Sequence, residues 1–174
     1  MIASFHRLTF APYFTTYLDH LESDDLKGAL TSSRDFLFEI LTDLDEEKWN
    51  FTYAEGKWTI KQVVNHIIET EIIFNYRALR VAKESLKEDI SGFDENNYVD
   101  SAFLEHFSPK EMIAYFKAVR SSTEFLFQSL SKEQLTKIGM ASGKDIQVEA
   151  LFFITAGHTI HHAKVIKERY LTKI

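Results

Sequence analysis

Residues 156–162 read Ala-Gly-His-Thr-Ile-His-His, and they lie in a long C-terminal segment whose apolar residues recur with helical spacing. His158 and His162 are four residues apart, so a helix places them on one face, about one turn from each other. The apolar residues that share this face, and so direct both imidazoles inward, are Val148, Leu151, Ile154, Val165 and Ile166. The pair is therefore either part of a divalent-metal site, for which helical histidines at this spacing are typical, or a pair of neutral core histidines.

Three further segments have the same helical periodicity, and their starts are marked by capping residues. Asp24 or Asp25 is an N-cap for the first helix, and Thr59 with Gln62 forms a capping box for the second. The third helix starts at Ser108-Pro109-Lys110-Glu111, where Pro occupies the first helical position. The predicted helices cover about residues 24–45, 59–85, 108–130 and 145–170, and residues 131–134 predict one more capped turn.

Four long helices without a convincing pair of strands predict an all-α fold, a four-helix bundle. Residues 86–107 form a connection between helices 2 and 3 that is long enough to be a crossover, so a simple up-down topology is not required. The aromatic N-terminal residues 1–22 are expected to form an arm that packs on the bundle. Residues 1–174 are thus interpreted as a single domain.

Composition restricts the classes of function. The net charge of −6 and the lack of a clustered basic face argue against nucleic-acid binding. No apolar stretch is long enough to span a membrane and no signal peptide is recognisable, so we expect a cytoplasmic protein without membrane contact. With no cysteine among its 174 residues, the chain has no thiolate ligand or nucleophile of its own. Any metal must be held by imidazole and oxygen.

His66 supplies a third imidazole, at the edge of the apolar stripe of helix 2, where a side chain can line a cleft. If helices 2 and 4 are neighbours, His66, His158 and His162 converge on one point and leave coordination positions open, as in catalytic metal sites. Two candidate catalytic residues share helix 2. Glu69 could orient a ligand or accept a proton, or be a solvated carboxylate; Arg77 could bind an anionic substrate, or form a surface ion pair.

The remaining histidines receive no ligand role. His161 falls to one side of the inward face, so we expect it beside the site or in solvent rather than as a fourth ligand. His6, His20 and His106 have no partner at a ligand spacing and are given no role.

Several short motifs recur in an order that resembles one known family. They are residues 55–60 (Glu-Gly-Lys-Trp-Thr-Ile), His66, Glu71, residues 76–80 (Tyr-Arg-Ala-Leu-Arg), residues 92–95 (Gly-Phe-Asp-Glu), Tyr98, Arg120, Gly157-His158 and His161-His162. Together they resemble the DinB-like (YfiT-like) metalloenzymes over about residues 13–171. Many members of that family have Asp where this chain has Glu69, so the resemblance does not extend to a role for this carboxylate.

The resemblance implies a four-helix bundle with a crossed connection and one divalent metal ion per chain, nickel or zinc, bound by His66, His158 and His162. It also makes a homodimer an expectation. Relatives include low-molecular-weight thiol transferases of the bacillithiol type, together with many members called hydrolases.

Three functions remain open from the sequence. The first is transfer of a small-molecule thiol to an electrophile at an open tri-histidine site. The second is metal-dependent hydrolysis of a small substrate by water bound to the ion. The third is a non-catalytic metal-binding module associated with stress. The first two need the same site, so the sequence does not separate them.

Overall fold

The fold is built on four long helices joined by shorter elements, in a computed structural model that describes residues 4–84, 88–100 and 106–174. In chain order the elements are the 3-10 turns Ser4–Arg7 and Pro12–Phe14, α1 (Thr15–Leu18), α2 (Leu26–Leu41), α3 (Glu46–Trp49), α4 (Ile60–Lys83), β1 (Asp89–Ile90), α5 (Glu95–Asp100), α6 (Pro109–Ser129), α7 (Lys132–Leu135), β2 (Ile138–Ala141), β3 (Lys144–Gln147), α8 (Val148–Val165) and a π-helical turn, Ile166–Tyr170. The predicted helical bundle is confirmed, with α2, α4, α6 and α8 as its four long helices. None of the described helices is both long and apolar enough to cross a bilayer.

Two of the three predicted helix starts are set by side-chain caps, whereas Asp25, the N-cap residue of α2, makes no side-chain cap hydrogen bond. Thr59 and Ser108 each accept a hydrogen bond from the backbone N–H of the third helical residue, and the side chains of Gln62 and Glu111 bond back to the cap N–H groups. The turn at residues 131–134 is a third capping box. Each box satisfies two backbone N–H donors that the helix itself leaves unpaired. Because these hydrogen bonds lie within four consecutive residues, the sequence alone predicts the helix start.

The order of helices around the bundle differs from their order in the chain. α8 packs against α2 and α4, and α6 packs against the same two helices, so α2 and α4 lie diagonally opposite. Side-chain hydrogen bonds join Glu71 of α4 to Arg120 of α6, and Asn75 of α4 to Thr123 of α6. Going along α4 toward its C-terminus, the partner on α6 also moves toward the C-terminus. α4 and α6 are therefore parallel. The connection between two parallel helices must run back along the length of α4, about 36 Å. This distance explains why the connection is long, and it confirms the predicted crossover.

A small sheet at one end of the bundle was not predicted. β2 and β3 form an antiparallel hairpin, and β1 from the crossover pairs in parallel with β2. The hairpin turn is Ser142-Gly143, and both residues have positive φ angles (56° and 72°), as a type I′ turn requires. α8 consequently begins at Val148, and the predicted start near Asp145 is wrong because residues 144–147 are paired as a strand. Four-residue strands are too short for alternation to separate them from a helix end.

The N-terminal segment, described from residue 4 onward, packs against the bundle. Phe5, Phe14 and Leu18 are buried in the same cluster as the first half of α8. A Cβ atom at Gly157 would collide with the backbone carbonyl of Tyr17, so the glycine lets the arm approach α8 one residue before His158. The arm is thus fixed against the helix that carries two of the three predicted site histidines.

Candidate metal centre

Three imidazoles meet between α4 and α8. The ring centroid of His66 lies 4.9 Å from that of His158 and 4.8 Å from that of His162, and the two α8 rings are 4.4 Å apart. One nitrogen from each ring can be chosen so that all three lie within 4.8 Å of one another, a group that could hold a metal ion. The structure therefore brings together the three histidines that the sequence selected.

The surroundings keep these imidazoles neutral. Burial lowers the pKa of His66 to about 4. Burial also holds the pKa values of His158 and His162 well below the usual range, and the neighbouring histidines lower both further. A neutral imidazole keeps a lone pair for an ion, so no proton has to be displaced before metal binds.

The donor set fits a divalent transition metal. Two ligand nitrogens on a tetrahedral zinc ion are about 3.3 Å apart, given a Zn–N distance of about 2.0–2.1 Å. The Nε2 atoms of His66 and His158 are 3.1 Å apart, close to that separation. Imidazole suits zinc, nickel, copper and iron, so the donors do not select one metal.

A cavity of about 390 Å³ leads to the histidines. His66 and His158 lie in its wall, whereas His162 does not belong to its lining, so a bound ion would be reached from this cleft past two of its three ligands. The aromatic part of the wall comes from the arm, α4 and the crossover, and consists of Tyr13, Phe14, Tyr17, Phe74 and Phe93. The hairpin contributes residues 141–142 and 144–146 to the lining.

The two predicted catalytic residues have different positions. Arg77 lies in the wall of the cleft, buried, and its Nη2 donates to the carbonyl of Ser91 and the hydroxyl of Ser142. Glu69 is not among the lining residues. Burial raises the pKa of its carboxyl group, and the nearby side-chain amide of Asn65 opposes that rise.

His161 is half-buried beside the three-histidine group. Its Nδ1 lies 3.2 Å from Nε2 of His20, and its ring meets that of Tyr17 edge-on. The other ring nitrogen of His20, Nδ1, lies 3.3 Å from Nζ of Lys164. Sequence reasoning missed His20 because its partner is 141 residues away, and no spacing signals such a contact.

A buried ion pair lies behind the site, and the spacing of the residues does not reveal it. Arg120 of α6 makes two hydrogen bonds to the carboxylate of Glu71 on α4 and a third to the hydroxyl of Thr159, next to His158 on α8. Both charged residues lie on the otherwise apolar faces of their helices. A charged residue on such a face is the sequence feature from which a buried ion pair could have been predicted. The pair fixes the helices on which the histidines stand.

Comparison with known proteins agrees with this architecture. The family model described as the DinB superfamily matches residues 29–166. A protein of Bacillus licheniformis named "Putative metal-dependent hydrolase" is 24% identical over 87% of this chain and 90% of its own length. A protein of Oceanobacillus iheyensis with the same description is 26% identical over 75% of each chain.

The solved structure of YfiT from Bacillus subtilis has a similar fold. It is described as "a probable metal-dependent hydrolase with an unusual four-helix bundle topology". The two structures superpose with a TM-score of 0.74 over 86% of each chain, at 17% sequence identity. At this identity the likeness concerns the fold.

Proposed function

The chain belongs to the DinB superfamily, and on this premise we propose that it is a divalent-metal-dependent enzyme that transfers a low-molecular-weight thiol to an electrophilic small molecule. The ligands in this proposal are His66, His158 and His162, and the metal is nickel or zinc. Its support is the three-histidine group beside a cleft of substrate size, together with relatives named as metal-dependent enzymes.

A divalent ion on these imidazoles would supply Lewis acidity, which lowers the pKa of a bound thiol or water. The chain itself contributes three neutral donors, which leave the charge of the ion uncompensated and favour an anionic substrate atom. The aromatic wall gives a flat electrophile a surface on which to stack and excludes water around the histidines. Because the chain has no cysteine, the thiol must enter as a small molecule.

One observation favours thiol transfer over hydrolysis. Among the described residues that line the cleft, the carboxylates are Glu95 and Asp145, and both are exposed to solvent. The rings around the three histidines are those of Tyr17, Trp58 and Phe74, together with His161, whose Nδ1 is already engaged with His20. Hydrolysis profits from a nearby base that takes a proton from the attacking water and a group that protonates the leaving atom. A thiol is much more acidic than water, so a thiol substrate would depend less on such a base than an attacking water would.

Hydrolysis is the second candidate, because three relatives carry the description of metal-dependent hydrolases. The same open position would serve water, and the proposed ligands would be unchanged. The two reactions therefore differ in the substrate rather than in the metal site.

Parallel assays of one zinc- or nickel-loaded preparation separate these functions. We expect the protein to accelerate conjugation of cysteine with 1-chloro-2,4-dinitrobenzene at least about tenfold over the His158→Ala variant, since loss of a ligand removes the activated position. Hydrolysis of 4-nitrophenyl acetate should not exceed that of the variant. His106→Ala is the matched control, because this histidine is exposed and distant in sequence from the three ligands.

The opposite pattern, in which the ester is hydrolysed and the thiol is not transferred, would make the protein a hydrolase. Neither activity in a preparation that holds one ion per chain would favour the non-catalytic module.

A homodimer is the expected assembly. Ile72, Tyr76 and Leu79 form an exposed apolar stripe on α4, and Phe125 on the neighbouring α6 is 72% exposed. Burying this surface against a second copy would remove it from water. Light scattering at micromolar concentration should give twice the 20.2 kDa mass of the chain, and Phe125→Lys should lower the mass toward that of one chain. A single-chain mass for the unmodified protein would contradict the dimer.

A further inference from the structure

We propose that Arg77 forms an anion-binding subsite at the far end of the cleft, so that the substrate is an elongated small molecule with a carboxylate about 12 Å or less from His158. This inference rests on the proposed function and specifies its substrate. Three observations carry it: a buried cation without an ion-pair partner, an unpaired buried hydroxyl, and the distance between the subsite and His158.

The first observation concerns the partners of Arg77. The residue is 5% exposed, its Nη2 donates only to neutral oxygens, and its Nε is buried without a hydrogen-bond partner. None of the ion pairs among the described residues includes Arg77. The carboxylate of Asp89, which acts on Arg77 electrostatically, accepts from the N–H of Gly143. A buried guanidinium without a carboxylate partner is costly, and a bound anion would remove much of that cost.

The second observation concerns Thr70. Its hydroxyl is buried without a partner, and the residue lines the same cleft at 4% exposure. His66, Thr70, Phe74 and Arg77 follow one another along a single face of α4. Thr70 can therefore bond to a polar atom in the middle of a ligand whose two ends reach the histidines and Arg77.

The third observation sets the length of the ligand. The guanidinium carbon of Arg77 lies 5.9 Å from the ring centroid of Phe74, and that centroid lies 6.3 Å from the ring centroid of His158. The guanidinium is thus at most about 12 Å from the His158 ring. A thiol at the ion and a carboxylate at Arg77 would be separated by less than this, roughly the reach of two to three extended residues.

The charged residues that line the cleft favour a ligand with a single negative charge. Arg77 and Lys144 are the described cations in the wall, and Glu95 and Asp145 oppose them. With two charges of each sign, the cleft attracts a carboxylate through the buried guanidinium but repels a dianionic phosphate through the two acids. A planar carboxylate also matches the fork of an arginine.

The test compares two ligands of equal length that differ in the group at one end, the carboxylate of 6-mercaptohexanoate and the neutral amide of 6-mercaptohexanamide. Binding to the zinc-loaded protein is measured by titration calorimetry. We expect the acid to bind roughly tenfold or more tightly than the amide, because a charge-assisted bond is lost in the amide. Arg77→Gln should reduce the preference to below about twofold. Arg80→Gln, at a partly exposed arginine of the same helix that is paired with Glu84, should leave it intact.

Equal binding of the acid and the amide to the unmodified protein would overturn the subsite, whatever happens to the variants. A preference that survives in Arg77→Gln would overturn the assignment to this arginine. Arg77→Lys, which keeps the charge but not the fork, serves if the glutamine variant does not fold, and it should retain only part of the preference. Hexanoate and hexanamide, which lack the thiol, give the same comparison without thiol chemistry. A preference for hexanoate without any thiol conjugation would retain the subsite and reject the proposed reaction.

Discussion

Replacing His158 with alanine is expected to remove the bound divalent ion and with it the activity. His158 is 4% exposed, and its Nε2 lies 3.1 Å from that of His66, so its imidazole cannot be replaced by a neighbouring side chain without rebuilding the site. Loss of residues that merely orient a ligand costs about 10- to 100-fold in metal affinity, and loss of the ligand itself should cost more. Activity that depends on the ion should fall to the level of the metal-free protein.

Elemental analysis is the measurement, on protein purified without added metal and again after reloading with zinc or nickel. The unmodified chain should hold about one ion, and His158→Ala or His162→Ala less than about 0.2. His161→Ala is the matched control, because this histidine is the sequence neighbour of a ligand but bonds to His20. If His161→Ala removes the ion as completely as His162→Ala, the assignment of the ligands is wrong.

Replacing Arg120 with methionine is expected to produce the largest loss of stability. The guanidinium is fully buried and also donates to the carbonyl of Leu30 and the hydroxyl of Ser33, so it links α2, α4, α6 and α8. The variant leaves the buried carboxylate of Glu71 with only the hydroxyl of Thr123. Breaking one side of such a pair costs about 3–5 kcal/mol in the free energy of unfolding, a large part of the total stability of a domain.

Urea denaturation of the variants checks this expectation. Arg34→Met is the control, because Arg34 pairs with Glu124 and Asp35 at the surface, where an ion pair contributes about 0–1 kcal/mol. Combining Arg120→Met with Glu71→Leu should cost less than the sum of the two single changes, since no charge is then left unpaired. A loss for Arg120→Met no larger than that for Arg34→Met would show that the buried pair does not hold the bundle together.

The sequence by itself determined the helices and the histidines. Capping boxes at Thr59, Ser108 and Ser131 are interactions over three residues, so their geometry is complete within the local sequence. The spacing of His158 and His162 likewise follows from the pitch of one helix. His66 was selected as a third member by its place on the polar edge of a stripe, and the structure brings it to the other two.

The tertiary structure alone decided which surfaces meet. The diagonal placement of α2 and α4, the contact of His20 with His161, and the approach of the arm to Gly157 all join residues far apart in the chain. Such contacts are selected by the packing of the whole core, and periodicity within a single segment carries no information about them. The hairpin at residues 138–147 belongs to the same class, because its short strands become strands only by pairing with each other and with β1. The cleft that ends at Arg77 is enclosed by the arm, the crossover and this hairpin, so only the folded chain could place a buried cation there.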